Sequence, residues 1–323
     1  MTLAARVKRS AKRVLRGRSG VLRAIGRLAP PGAVVLMYHS VQPDPKSVED
    51  SIGEGISHSA VMFDRQMELL SREFHPVGVD DVAAFLTEHK ALPRRAVVVT
   101  FDDGFRDNLE VAAPILARHG ISATFYVTAG CIESGLPPWV CRVRHSFRTS
   151  TASTWHDPTQ GTAWQLSNPA GREEAMLAAM RICATLTGDR QEALLATIAR
   201  DLHIGPCAGL PNLMLSWEEV RSLQGEGHTI GSHTMSHPNV AHISLDEVRS
   251  ELGESKQLLE SRLGTAVRHF SYPCPILSPH WSPQTETVSR ELGYATAATT
   301  DSGLVRAGSD AHAVPRIGAP MEM

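Results

Sequence analysis

Two short segments of the 323-residue chain carry side chains that can share one reaction centre. The first is Thr100-Phe101-Asp102-Asp103-Gly104, which continues the apolar run Ala96–Val99. Adjacent carboxylates at the C-terminal end of a buried strand stand where parallel α/β folds place their sites. Neighbours on an extended chain point in different directions, so one carboxylate can hold a cation while the other stays free for proton transfer. A plain Asp-Asp-Gly turn fits the same residues. The second segment is His233-Thr234-Met235-Ser236-His237. Histidines at i and i+4 share one face of a helical turn and can present two imidazoles to one metal; a histidine pair decorating a surface has the same spacing. Two histidines with one carboxylate form a facial set with open positions for water and substrate, suited to hydrolytic zinc or non-haem iron.

Positioning these groups requires a rigid frame, and the chain supplies the pattern of one. Short apolar runs rich in β-branched residues read as buried parallel strands at Ala33–Tyr38, Ala96–Phe101, Ser122–Val127, Thr229–Ser232 and Val267–Tyr272, with weaker ones at Tyr294–Thr299 and His312–Ile317. Helices lie between them. Asp107 with Glu110 reads as a capping pair for a helix stopped by Gly120, and Ser244 with Glu247 opens another that ends at Gly264. Such alternation predicts an α/β fold with a parallel sheet, and seven or eight units favour a distorted (β/α)7-8 barrel. Residues of about 137–215 break the rhythm. They show no strand, a Ser/Thr/Trp/Pro-rich stretch at 149–169, and helical patterns at Arg172–Leu186 and Arg190–Leu202, which predicts a helical insertion acting as a lid or wall beside the site. The expected organisation is a basic segment over 1–30 and a catalytic barrel over 31–323.

Three motifs in order, TFDDG at 100–104, SHTMSHPN at 232–239 and FSYPCP at 270–275, make the chain resemble the metal-dependent polysaccharide deacetylases with the NodB homology domain, also called carbohydrate esterase family 4. The resemblance runs from about Val34 to Ile317. It implies that Asp103, His233 and His237 bind a divalent metal, that Asp102 is the general base, and that the backbone N–H of Cys274 stabilises the oxyanion. Leu36-Met37-Tyr38-His39-Ser40 resembles the permuted subgroup that includes exopolysaccharide poly-N-acetylglucosamine deacetylases, which implies His39 as the general acid. Ser271 stands where many members carry an arginine beside the base, and Pro275 where glycine is usual. Arg316, in Val-Pro-Arg-Ile, can supply that guanidinium from another strand, or form an ordinary salt bridge at the rim. Zinc is the default metal, and Co²⁺, Ni²⁺ or Fe²⁺ suit the same ligands. Tyr272 and Pro273 of the third motif are expected to face substrate. Among the tryptophans, Trp139 and Trp281 are better placed than Trp155 and Trp164 to stack on a sugar, with core packing an equal alternative for each.

The charge distribution bears on partners. The net charge is −2, yet residues 1–27 hold nine of the 32 Lys and Arg, so the remainder has 23 bases against 34 acids, a body at −11. Leu3, Val7, Ala11, Val14, Val21, Ile25 and Leu28 share one helical face opposite most of those bases. That pattern suits a helix on an anionic membrane surface or a solvated basic helix. Arg23 and Arg27 interrupt the one candidate signal-peptide core, no apolar run of about 18 residues could span a bilayer, and five irregularly spaced cysteines favour reduced thiols. The expected location is therefore cytoplasmic, peripheral on the inner membrane face where the basic segment binds. An acidic body argues against nucleic acid, and nothing marks an oligomeric state. The expected function is a metal-dependent hydrolase removing an N-linked acyl group, foremost acetyl, from an amino sugar in a polysaccharide, oligosaccharide or glycoconjugate. The alternatives are a deacylase or deformylase of a lipid-linked or small glycoside precursor, and a non-catalytic carbohydrate-binding protein that keeps the fold.

Overall fold

The computed structural model describes residues 31–48, 52–53, 55–204 and 212–321. The basic segment expected over 1–30 lies outside the described residues, as does Cys207. Seven parallel strands close on themselves: β1 Gly32–Tyr38, β2 Ala96–Phe101, β3 Thr124–Val127, β4 Thr229–Ser232, β5 His269–Ser271, β6 Thr296–Ser302 and β7 Val314–Gly318. Each pairs with the next, and β7 returns to β1 at Leu36↔Ile317. The β1–β2 ladder is continuous from Ala33↔Ala96 to Tyr38↔Phe101. Every residue of β2, AVVVTF, is buried, as a strand with the barrel interior on one face and helices on the other must be. The closed barrel therefore has seven strands, within the range that the sequence pattern allowed.

Side-chain parity fixes what meets at the axis. Ala33 and Val35 of β1, Ala96 and Val98 of β2, Tyr126 of β3 and Val314 of β7 form one cluster, closed below by Val79, Val82 and Phe85 of the helix Val79–Thr87. The alternate residues Leu36, Val97, Val99, Phe101 and Phe125 pack outward in a larger cluster with the surrounding helices. Continuing the inward phase of β2 by two and four residues gives Thr100 and Asp102, and continuing that of β7 gives Arg316. Gly231 of β4 makes room for this interior, since a Cβ there would come within 2.4 Å of the Tyr126 ring.

Local expectations and structure part at three places. Asp107 is not a helix cap: its side chain makes no capping bond, a π turn occupies Asn108–Ala112, and the α-helix that follows, Ala113–Arg118, ends before Gly120. The carboxylate turns instead to the loop after β1. The insertion is not purely helical. Between the helices Trp139–Thr149 and Pro169–Cys183 it holds an antiparallel hairpin, Thr154–His156 with Ala163–Gln165, and with the helix Gly188–Asp201 it builds its own core around Trp139, Phe147, Trp155 and Met176. The histidine segment is a loop rather than a helical turn. The helix Leu245–Leu263 forms as read, with the Ser244/Glu247 capping box and Gly264 at φ 69°. Among the described residues no helix is long and apolar enough to cross a membrane.

Candidate active site

Asp102 and Arg316 meet inside the C-terminal mouth of the barrel. Arg316 Nη1 donates to Asp102 Oδ1 at 2.8 Å and Nη2 to Oδ2 at 2.6 Å. Its remaining donors reach Thr299 O at 2.9 Å, Thr100 Oγ1 at 3.2 Å and Ser271 Oγ at 2.8 Å. All five guanidinium N–H groups thus have an acceptor, the condition for burying an arginine completely. Burial alone pushes the Asp102 carboxyl up, but the Arg316 guanidinium outweighs it and holds the carboxyl below the usual range. Burial likewise works against the Arg316 charge, and Asp102 overrides it.

Asp103 turns away from its neighbour because its backbone adopts φ 76°, a left-handed conformation followed by a second at Gly104, φ 88°. It faces His233 and His237. His237 Nε2 stands 3.1 Å and His233 Nε2 3.5 Å from Asp103 Oδ1, and all three side chains are buried. His233 Nδ1 lies 2.7 Å from the Ser271 carbonyl oxygen, an acceptor, so Nδ1 carries the proton and Nε2 is left bare. Burial pushes the His233 ring down to about 4, which keeps it neutral. Burial also works to raise the Asp103 carboxyl, yet the His237 ring beside it brings it well below the usual range.

The histidine loop is built rather than slack. Thr234 and His237 have φ 69° and 62°, unusual for any non-glycine and above all for a β-branched residue. Thr234 Oγ1 accepts from His237 N, while the buried Glu251 carboxylate accepts from Met235 N and Ser236 N, each at 2.9 Å. Gly130 lets the chain approach, since a Cβ there would lie 2.5 Å from Met235 O. The ligand atoms of Asp103, His233 and His237 lie within 4.8 Å of one another, and the buried Asp103 Oδ1 accepts no hydrogen bond. A bare carboxylate oxygen converging with two imidazole nitrogens fits a divalent cation.

With that geometry in hand, the comparison with known sequences is decisive. Residues 89–297 match the family model described as polysaccharide deacetylase. The chain belongs to the polysaccharide deacetylase family. Solved structures agree in fold. The Streptococcus pyogenes deacetylase PplD, solved with acetate, superposes with a TM-score of 0.60 at 18% identity, over 90% of this chain and 93% of that one. IcaB from Ammonifex degensii gives 0.58 at 19%, over 90% and 92%. At these identities the likeness is one of fold. Among relatives, the chitooligosaccharide deacetylase of Azorhizobium caulinodans is 35% identical over 74 residues, 23% of this chain and 33% of that protein.

Within this family member the other expected residues fall in different places. His39 follows β1 and is half-buried, its carbonyl oxygen accepting from Asn108 Nδ2 at 2.8 Å. Cys274 is exposed after β5. Trp281 is half-buried, its ring stacked on Tyr272 at 6.1 Å and its Nε1 donating to Asp301 Oδ2 at 2.8 Å. Three expectations about substrate contact are corrected. Trp139 is 2% exposed, and its Nε1 donates to His237 O at 2.8 Å, so it underpins the histidine loop instead of offering a face to sugar. Tyr272 is fully buried with its hydroxyl donating to His312 O at 3.1 Å, so its ring supports Trp281 from behind. Pro273 is also buried. Thr100 and Glu251 are contributors that the sequence does not mark directly, and Ser271, noted as a departure from the usual arginine, accepts from the Arg316 guanidinium at 2.8 Å. Strand parity from Asp102 could have found Thr100, whereas nothing local marks Glu251, which sits in mid-helix.

Proposed function

We propose that this polysaccharide deacetylase is a metal-dependent hydrolase that removes an N-linked acetyl group from an amino sugar within a polysaccharide, oligosaccharide or glycoconjugate. The observation that carries the reading is a cation-ready set, Asp103, His233 and His237, placed beside a separate carboxylate, Asp102, whose side-chain partners among the described residues are Arg316 and Ser271. A metal set and an ionised base held apart from each other are what hydrolysis of an amide needs, and a binding module has no use for both.

Asp103, His233 and His237 would hold the ion, with zinc the first choice for one carboxylate and two imidazoles, and Co²⁺, Ni²⁺ or Fe²⁺ suited to the same set. Bound there, a divalent ion polarises the acyl carbonyl and makes a nearby water more acidic. Asp102 takes the proton of the attacking water, and the Arg316 fork keeps its carboxylate ionised and aimed. The Cys274 backbone N–H, which meets no protein acceptor among the described residues, faces the developing oxyanion. Since the donor is main chain, cysteine at this position keeps the role. His39 delivers a proton to the leaving nitrogen, and Trp281 offers its ring to the sugar.

The nine bases within residues 1–27 favour a substrate presented at an anionic surface, such as a lipid-linked amino sugar, as the second reading. The deciding experiment measures bound metal and amine release from N-acetylglucosamine oligomers for wild type and Asp102→Asn. The variant should keep its metal and lose turnover at least about 10²-fold. Equal turnover would remove Asp102 as the base, and metal without turnover in the wild type would favour a binding protein.

A further inference from the structure

Asp107 and Asn108 have no part in the centre built so far, yet both are buried just beyond it and both turn toward the loop that carries His39. Asp107 Oδ2 accepts from Ser40 Oγ and from Gln42 Nε2, each at 2.6 Å, and Oδ1 accepts from Val41 N at 3.1 Å. Asn108 Nδ2 donates to the His39 carbonyl oxygen at 2.8 Å and to Asp107 Oδ1 at 3.0 Å. Every residue from His39 to Gln42 is therefore bonded by one of these two side chains. On the other side of His39, Tyr38 O accepts from Asp102 N at 3.0 Å. The His39 loop is thus tied at both ends to one stretch of chain, Asp102–Asn108, which also carries the base and a metal ligand. Asn108 opens the π turn, a rare geometry that is frequent at functional sites.

We propose that Asp107 and Asn108 are positioning residues for His39, setting the distance between its imidazole and the leaving atom of the substrate. The proposal rests on His39 acting as the acid. A leaving amine departs only when its nitrogen receives a proton as the C–N bond breaks, so amide cleavage depends on where the acid stands. An aryl acetate expels a phenolate that needs no proton, and its hydrolysis is indifferent to that distance. The Ser40 and Gln42 bonds hold the loop in place; the Asn108 bond to His39 O sets the acid itself. A displacement of about 1 Å costs on the order of 10²-fold where alignment matters.

The test compares kcat and KM on an N-acetylglucosamine oligomer and on 4-methylumbelliferyl acetate for wild type, His39→Ala, Asp107→Asn and Asn108→Ala. His39→Ala should lower amide turnover by about 10²–10⁴-fold and leave the aryl acetate within about threefold. Asn108→Ala and Asp107→Asn should lower amide kcat by about 10–10²-fold with KM and aryl acetate turnover nearly unchanged. Asn108→Ala made in the His39→Ala background should add almost nothing. Equal losses on both substrates would overturn the proposal, since they report a damaged fold or metal set, and so would wild-type amide turnover in both clamp variants. If His39→Ala itself depresses both substrates equally, the acid reading falls and the positioning role falls with it. If His39→Ala shows the split and the clamp variants do not, only the positioning role is refuted.

Discussion

Arg316→Met, taken through a double-mutant cycle with Asp102→Asn, tests whether the pair at the barrel axis is coupled as its geometry requires. Two charge-assisted hydrogen bonds, at 2.8 and 2.6 Å, are worth about 1.5–3 kcal/mol each. Together they bound the pair at about 3–6 kcal/mol, in agreement with the roughly 3–5 kcal/mol lost when a buried ion pair is broken from one side. Arg316→Met leaves Asp102 buried without its counterion, and Asp102→Asn leaves Arg316 with a neutral partner. The double variant leaves neither charge. It should therefore be less destabilised than the sum of the single variants by about 2–4 kcal/mol, whereas uncoupled sites add within about 0.5 kcal/mol. Urea unfolding of chelator-treated protein gives the four values free of differences in metal occupancy. Arg316→Lys, which keeps the charge without the fork, should fall between wild type and Arg316→Met. Additivity within about 0.5 kcal/mol would mean that Arg316 is not the counterion of Asp102, and the account of how the base stays ionised would fail.

Glu251→Ala removes the acceptor of Met235 N and Ser236 N and should weaken metal affinity by about 10–100-fold in a chelator competition, as loss of an outer support does; unchanged affinity would show that the loop holds itself. Trp139→Phe should cost about 1–3 kcal/mol by orphaning the His237 carbonyl with KM for oligomers unchanged, while Trp281→Ala should raise KM; the reverse pattern would restore Trp139 as a sugar platform. His58 is buried, with Nε2 3.3 Å from Ala319 O, and burial lowers its ring to about 4. The unfolded chain binds that proton below about pH 6.5, so stability should fall by on the order of 3 kcal/mol as pH drops from about 6.5 to 4. His58→Gln should show a flatter loss over that window in urea unfolding, and an equally steep loss would assign the acid sensitivity to other groups.

The legible parts of the sequence were those where one physical constraint acts locally. A run such as AVVVTF can only be a doubly buried strand, and carboxylates at its end can only sit at the barrel mouth. The less legible parts depend on residues distant in sequence. The i,i+4 spacing of His233 and His237 suggested a helical turn, but the loop reaches the same convergence through two left-handed residues and a remote glutamate. Asp107 and Glu110 have the letters of a capping pair, yet the loop after β1 competes for the Asp107 carboxylate and offers a backbone N–H, a hydroxyl and an amide at once. Trp139 follows a strand-end motif, but its ring joins the core of the insertion, an outcome fixed by helices that follow it in the chain.

That insertion core gives residues of about 137–215 a more definite role than lid or wall. Near its start, Trp139 Nε1 bonds to His237 O; in its middle, Ala184 O accepts from Asn239 N at 3.1 Å, just after the histidine loop. At its exit, Leu213 O accepts from Arg106 N at 2.7 Å and Leu215 N donates to Gly104 O at 3.1 Å, just after the carboxylate pair. The segment therefore braces both ligand loops from outside the barrel, and its own packing around Phe147, Trp155 and Met176 makes the brace stiff. Two loops whose three left-handed non-glycine residues, Asp103, Thr234 and His237, converge on one point store strain that must be over-determined by their surroundings. Seven short strands fix where the loops begin, and the insertion fixes where their side chains end.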